Sequence, residues 1–180
     1  QTDQAQSAQQ IRQAPGPCSA LPSRYPGVGN AQELFVKKLY FGHPKGTYDT
    51  KYEIATLDRI RRSFLCENDP TVVNPNNPRH ETGAARYRIT AGTESSMGYW
   101  LALVRSCDAG VFLLMPDGMW SYGTALEAKE LLQKGAPVWT IAFDGTLVRV
   151  ADIPPTRCLS REETTKANEG IRVMATWKGH

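Results

Sequence analysis

The stretch CDAGVFLLMPDGMWSYGTALE, Cys107 to Glu127, decides how this chain is read. Ala109 to Met115 is an unbroken apolar run of strand length, Pro116 to Tyr122 carries turn-forming residues, and a helix over Ala125 to Gln133 follows, closed by Gly135. Downstream, Pro137 to Phe143 reads as a further strand, and Asp144-Gly145 is a hairpin signal leading into Thr146 to Val150. Upstream, Trp100, Leu103, Val104 and Cys107 form one apolar helical stripe that Ser95 or Ser96 can cap. Further back, Leu34 to Phe41 reads as the first strand, ended by Gly42, His43 and Pro44. Thr50 with Glu53 is a capping box ahead of Ile54, Leu57, Ile60 and Phe64, and Thr71 to Asn74 is a short second strand. Arg79 to Thr93 reads as a polar loop. Strands alternating with helices predict an α/β domain whose five-stranded, mostly parallel sheet is covered on both faces. Ligands of such sheets bind outside the carboxyl ends of the strands, which selects the loops Gly42 to Asp49, Asn74 to Thr93 and Pro116 to Thr124.

With 180 residues the chain has room for one domain and its tails. The expected division is a loop-rich N-terminal segment over 1–33, the α/β domain over 34–153 and a C-terminal tail over 154–180. A formal net charge of +3 with scattered basic residues gives no nucleic-acid footprint, and no apolar run is long enough to span a bilayer. The Gln- and Ala-rich start at Gln1 is expected to be a solvated segment left by signal-peptide removal, which implies a periplasmic or secreted location; an arbitrary segment boundary in a cytoplasmic protein is the alternative. The four cysteines, Cys18, Cys66, Cys107 and Cys158, lack metal-site spacing. Cys66 and Cys107 read as core residues, and Cys18 with Cys158 is the one pair an oxidising compartment would bridge.

Asp117, Gly123, Thr124 and Glu127 put a carboxylate in a loop, a small residue where backbone can approach a ligand, and a second carboxylate one turn into a helix. Thr124-x-x-Glu127 is itself a capping box, so Glu127 reads either as a cap or as a substrate-facing group. Asp108 reads as a loop or cap residue and Asp117 as a turn residue on local sequence alone. Phe41, Tyr48, Tyr99, Trp120 and Tyr122 gather in the same segments and offer flat faces for a base, Trp120 foremost among them. His43 and His80 are minor acid or phosphate-contact candidates, and Arg79, Arg86 and Arg88 are candidates for gripping phosphate.

Cys107-Asp108 through Val138, together with Leu39-Tyr40-Phe41-Gly42 and Pro44, resembles the signature of the nucleoside 2-deoxyribosyltransferase family. The likeness covers about Lys38 to Ile141 and is most specific over Asp117 to Glu127. It implies a flavodoxin-like three-layer sandwich and cleavage of the base–sugar bond of a nucleoside, nucleotide or deoxynucleoside. It makes Glu127 the nucleophile and Asp117 the acid; Tyr40 or Tyr48 matches the family's tyrosine. Gly42, His43, Asp108, Trp120, Gly123 and Thr124 complete the implied substrate site. Such chemistry needs one carboxylate to trap the oxocarbenium ion and a donor to protonate the departing base. No metal or organic cofactor is implied, the partner is a small-molecule substrate, and a homo-oligomer with Trp177 at its contact is the expectation. The insertion Met119 to Tyr122 departs from the family spacing. Pro116-x-Gly118 with Gly123-Thr124-x-x-Glu127 also resembles the motif of cytokinin-activating phosphoribohydrolases, less compactly. An NAD glycohydrolase of the TIR-like group and a non-catalytic flavodoxin-like module binding a nucleotide or protein are the other readings.

Overall fold

The structure is a computed structural model that describes residues 36–68 and 70–176. The segment 1–33, the expected Cys18 bridge and Trp177 lie outside the described residues. Among these, five strands form one sheet: β1 (Lys38–Gly42), β2 (Thr71–Val73), β3 (Ala109–Leu113), β4 (Val138–Ile141) and β5 (Leu147–Val150). Their spatial order is β2-β1-β3-β4-β5, with all pairings parallel except the last. That antiparallel pair is closed by the Asp144-Gly145 turn, where Gly145 has φ +85° and Asp144 Oδ1 accepts the Thr146 N–H at 2.8 Å.

Helices α1 (Lys51–Asn68), α2 (Pro78–Ala91), α3 (Met97–Arg105), α4 (Tyr122–Gln133) and α5 (Arg161–Thr176) complete the fold. Alternation along the strands sorts the core into two layers. Tyr40, Phe112 and Val138 pack against Val104 of α3 and Ala125, Ala128 and Leu131 of α4. On the other side Leu39, Phe41, Val111, Leu113 and Ile141 pack with Ile60 and Leu57 of α1. Each large side chain so buried contributes about 1.5–3 kcal/mol of transfer free energy. Helices on both faces of a mostly parallel five-stranded sheet make this a flavodoxin-like α/β sandwich, in line with the sequence expectation.

Three local expectations need correction. Arg79 to Thr93 is mostly helix, α2, with Asn77 accepting from the Arg79 N–H, Pro78 in the first turn and Gly92 at φ 60° ending it. Its capping residues were legible, but it carries no apolar stripe to announce a helix. Ile54 of α1 is exposed, although Leu57 and Ile60 turn inward as expected. The segment from Pro154 is structured: a short 3-10 turn at Pro155–Arg157 leads into α5, which buries Ile171. None of the described helices is long and apolar enough to cross a membrane.

Gly42 ends β1 where the chain enters the first ligand-side loop, and its requirement is steric. A Cβ there would lie 2.3 Å from the Phe112 ring, inside the packed core. Gly42→Ala is therefore expected to lower unfolding stability by about 1–3 kcal/mol. Urea denaturation checks this, and an unchanged midpoint would show that the ring can swing aside.

Candidate functional site

β1 continues toward α1 on one face of the sheet, whereas β3 continues toward α4 on the other. The adjacent carboxyl ends of these strands therefore splay apart, the switch point where ligands of this architecture bind. A cavity of about 480 Å³ opens there. Its walls come from the loop after β1 (His43, Lys45, Tyr48) and the start of α4 (Gly123, Thr124, Glu127). The α2–α3 region adds Arg88, Glu94 and Trp100, and α5 adds Arg161, Thr165 and Asn168.

Glu127 reaches this cavity because another residue caps its helix. α4 starts at Tyr122, and Ser121 is the N-cap: its Oγ accepts the Thr124 N–H at 3.3 Å and shares a 2.7 Å hydrogen bond with the Thr124 hydroxyl. The capping-box reading of Thr124 and Glu127 is thus overturned. Glu127 sits in the second turn, 8% exposed, with the cavity beside it.

Burial pushes the Glu127 carboxyl up to about 8, against the opposing pull of the Tyr40 hydroxyl and the Lys45 charge. Tyr40 is fully buried, and its own hydroxyl is held well above the ordinary tyrosine range, first by burial and then by Glu127. The two groups are near enough to shift each other, yet the Tyr40 hydroxyl makes no hydrogen bond of standard geometry. Tyr48 also lines the cavity, and burial, then Glu127, raises its hydroxyl pKa, so it stays neutral.

His43 is a scaffold residue despite touching the cavity. Its Nδ1 lies 2.8 Å from Thr47 Oγ1 and its Nε2 2.9 Å from Asn74 Oδ1, while its ring stacks on Phe41 at 4.4 Å. Burial lowers its pKa, which favours the neutral ring. Behind it, Glu53 accepts from Asn74 Nδ2 at 2.7 Å, Asn76 Nδ2 at 2.8 Å and the Asp49 N–H at 2.7 Å. The carboxylate expected to close a capping box instead ties the loop after β1 to the loop after β2.

Several expected site residues lie elsewhere. Asp108 is at the amino end of the sheet, where its Oδ2 accepts the N–H groups of Lys37 and Lys38, both at 2.9 Å, and fixes the entry of β1. Asp117 accepts the Met119 N–H at 3.0 Å in its own turn and does not line the cavity. Trp120 is 3% exposed, packs 5.7 Å from Phe112 and pairs its backbone with Arg157 and Leu159, so it is core rather than a base platform. Gly42 serves packing, as described above. His80 bonds Tyr99 through Nδ1 at 3.0 Å and, like Arg79 and Arg86, does not line the cavity.

Sequence reading missed Lys45, Glu94, Trp100 and the whole contribution of α5. Lys45 falls in a segment selected as ligand-side, so its position was accessible. The α5 wall rests on polar contacts between distant segments: Asn168 Oδ1 accepts the Gly46 N–H at 2.9 Å, and Thr164 Oγ1 accepts the Tyr122 N–H at 2.8 Å. A Cβ on Gly46 would come within 2.6 Å of the Asn168 carbonyl oxygen. Among the described residues, no group of three or more His, Cys, Asp or Glu side chains is placed to hold a metal ion. Comparison of the chain with protein-family models, curated proteins and solved structures finds no match.

The raised Glu127 pKa links stability to pH. The folded chain holds this proton more tightly than the unfolded chain, so the associated stability is complete below about pH 4.5 and is lost as pH rises toward about 8. Glu127→Gln is expected to remove that loss, leaving the variant more stable than wild type at pH 9 by on the order of 5 kcal/mol. Thermal unfolding across pH 5 to 9 reads the difference; parallel curves for the two proteins would contradict the assignment.

Proposed function

We propose that this chain cleaves the N-glycosidic bond of a nucleoside-type substrate, with Glu127 attacking the anomeric carbon. The observation that carries the reading is Glu127 itself, released from capping by Ser121 and set beside a cavity of nucleoside size. The resemblance to the nucleoside 2-deoxyribosyltransferase family supports the same role.

As the base departs, positive charge builds on the sugar ring. An ionised carboxylate in a water-poor site stabilises that charge more strongly than solvent would and can trap it as a glycosyl ester. Water or a second base then attacks the anomeric carbon and frees the carboxylate. Burial opposes ionisation of Glu127, whereas Tyr40 and Lys45 favour it. Asp117 does not line the cavity, so the proton for the departing base is assigned to Glu94, the other carboxylate on the wall. Trp100 and Tyr122 take the stacking role expected of Trp120; the Trp100 ring is anchored through Nε1 to Ser96 Oγ at 3.1 Å.

Incubation with a panel of nucleosides, nucleotides and NAD, scored chromatographically for released base, tests the reading. Glu127→Gln is expected to cut turnover by at least about 10³-fold while retaining ligand binding. A purely binding module would release no base from any compound. The pH profile separates the roles open to Glu127. As nucleophile it must be ionised, so kcat/KM should rise through about pH 8, and Tyr40→Phe should move that limb higher. A profile that instead falls through this range would make Glu127 the acid.

A further inference from the structure

The cavity wall carries Lys45 after β1, Arg88 near the end of α2 and Arg161 at the start of α5. They come from three separate parts of the chain and converge on one opening. None of their side chains has an ion pair or hydrogen bond among the described residues, whereas Arg62 and Arg105, elsewhere on the molecule, have carboxylate partners. Glu94 and Glu127 are the carboxylates on the wall, and Glu127 is the group whose buried position disfavours its charge. The opening therefore holds more cationic than anionic side chains: Lys45 acts on Glu127, while Arg88 and Arg161 have no carboxylate partner among the described residues. Surface cations lose little by being unpaired in water, but in a concave site they focus potential on whatever enters.

We infer that the substrate carries a phosphate, and that Arg88, Arg161 and Lys45 form its binding subsite at the mouth of the Glu127 cavity. The inference rests on the reading of this cavity as the substrate site and narrows the class to nucleoside 5′-phosphates. The guanidinium groups of Arg88 and Arg161 can each donate paired N–H groups to phosphate oxygens, with Lys45 as a point charge between phosphate and sugar. The hydroxyl of Ser95 on the same wall, whose oxygen accepts the Met97 N–H at 3.2 Å, supplies a further donor.

Binding is measured by titration calorimetry on the inactive Glu127→Gln chain, using the common ribo- and deoxynucleoside 5′-monophosphates and the matching nucleosides. The best nucleotide is expected to bind at least about tenfold more tightly than its own nucleoside. The Arg88→Gln, Arg161→Gln double variant, altered only at exposed positions, should bring that ratio close to one, and Arg161→Glu should invert it. Equal or better binding of nucleosides overturns the phosphate subsite, as does a nucleotide preference unchanged by these variants. Base release by the wild-type chain is scored in parallel. Nucleotide-selective binding without base release from any compound would sustain the subsite and reject the glycosidase reading; base release from unphosphorylated nucleosides alone would do the reverse.

Discussion

A carboxyl group withdrawn from water beside a fully buried tyrosine hydroxyl is the constraint around which this molecule is organised. Desolvation drives Glu127 toward its neutral form, and only Tyr40 and the charge of Lys45 pull it back. A single acidic side chain in such a position is costly to fold around. It persists here because the sheet, the helix cap and three loops hold it beside an open cavity. Those same surroundings make a modest change in proton affinity translate into a change in what the group can do.

The supporting shell is mostly polar and mostly remote in sequence. Ser121 performs the capping that would otherwise occupy Glu127, and Asp108 secures β1 from the far end of the sheet. Glu53 joins Asp49, Asn74 and Asn76, which keeps the loops after β1 and β2 in one arrangement. His43 fills the space between them with both ring nitrogens engaged. Ser121, Glu53 and His43 are themselves buried polar residues. Together they fix the cavity floor to the rigid core through Phe41, on which the His43 ring stacks.

The sheet was legible in the sequence because its strands are apolar runs bounded by Gly, Pro and Asp, and hydrophobic burial acts on such runs wherever they fall. The hairpin at Asp144-Gly145 and the helix stripe ending at Cys107 were legible for the same reason. What escaped depended on contacts that local pattern does not encode. α2 has good caps but an almost wholly polar surface. Two overlapping cap candidates, Ser121 and Thr124, compete for α4, and only the three-dimensional path of the loop from Pro116 decides between them. Trp120 looked available because it precedes a helix in a loop, yet its ring meets Phe112 and its backbone pairs with the chain near Cys158. Glu127 was identifiable by residue type and position, although its orientation was not.

α5 carries one further implication. The last strand ends at Val150, but buried Ile153 and Ile171 and the cavity walls at Asn168 and Thr164 belong to the chain beyond it. The folding unit and the working unit therefore share a C-terminal edge within α5. A recombinant fragment trimmed at the last strand would lose buried Ile153 and Ile171 together with one side of its crevice, and inactivity in such a fragment would say nothing about the chemistry of the intact chain.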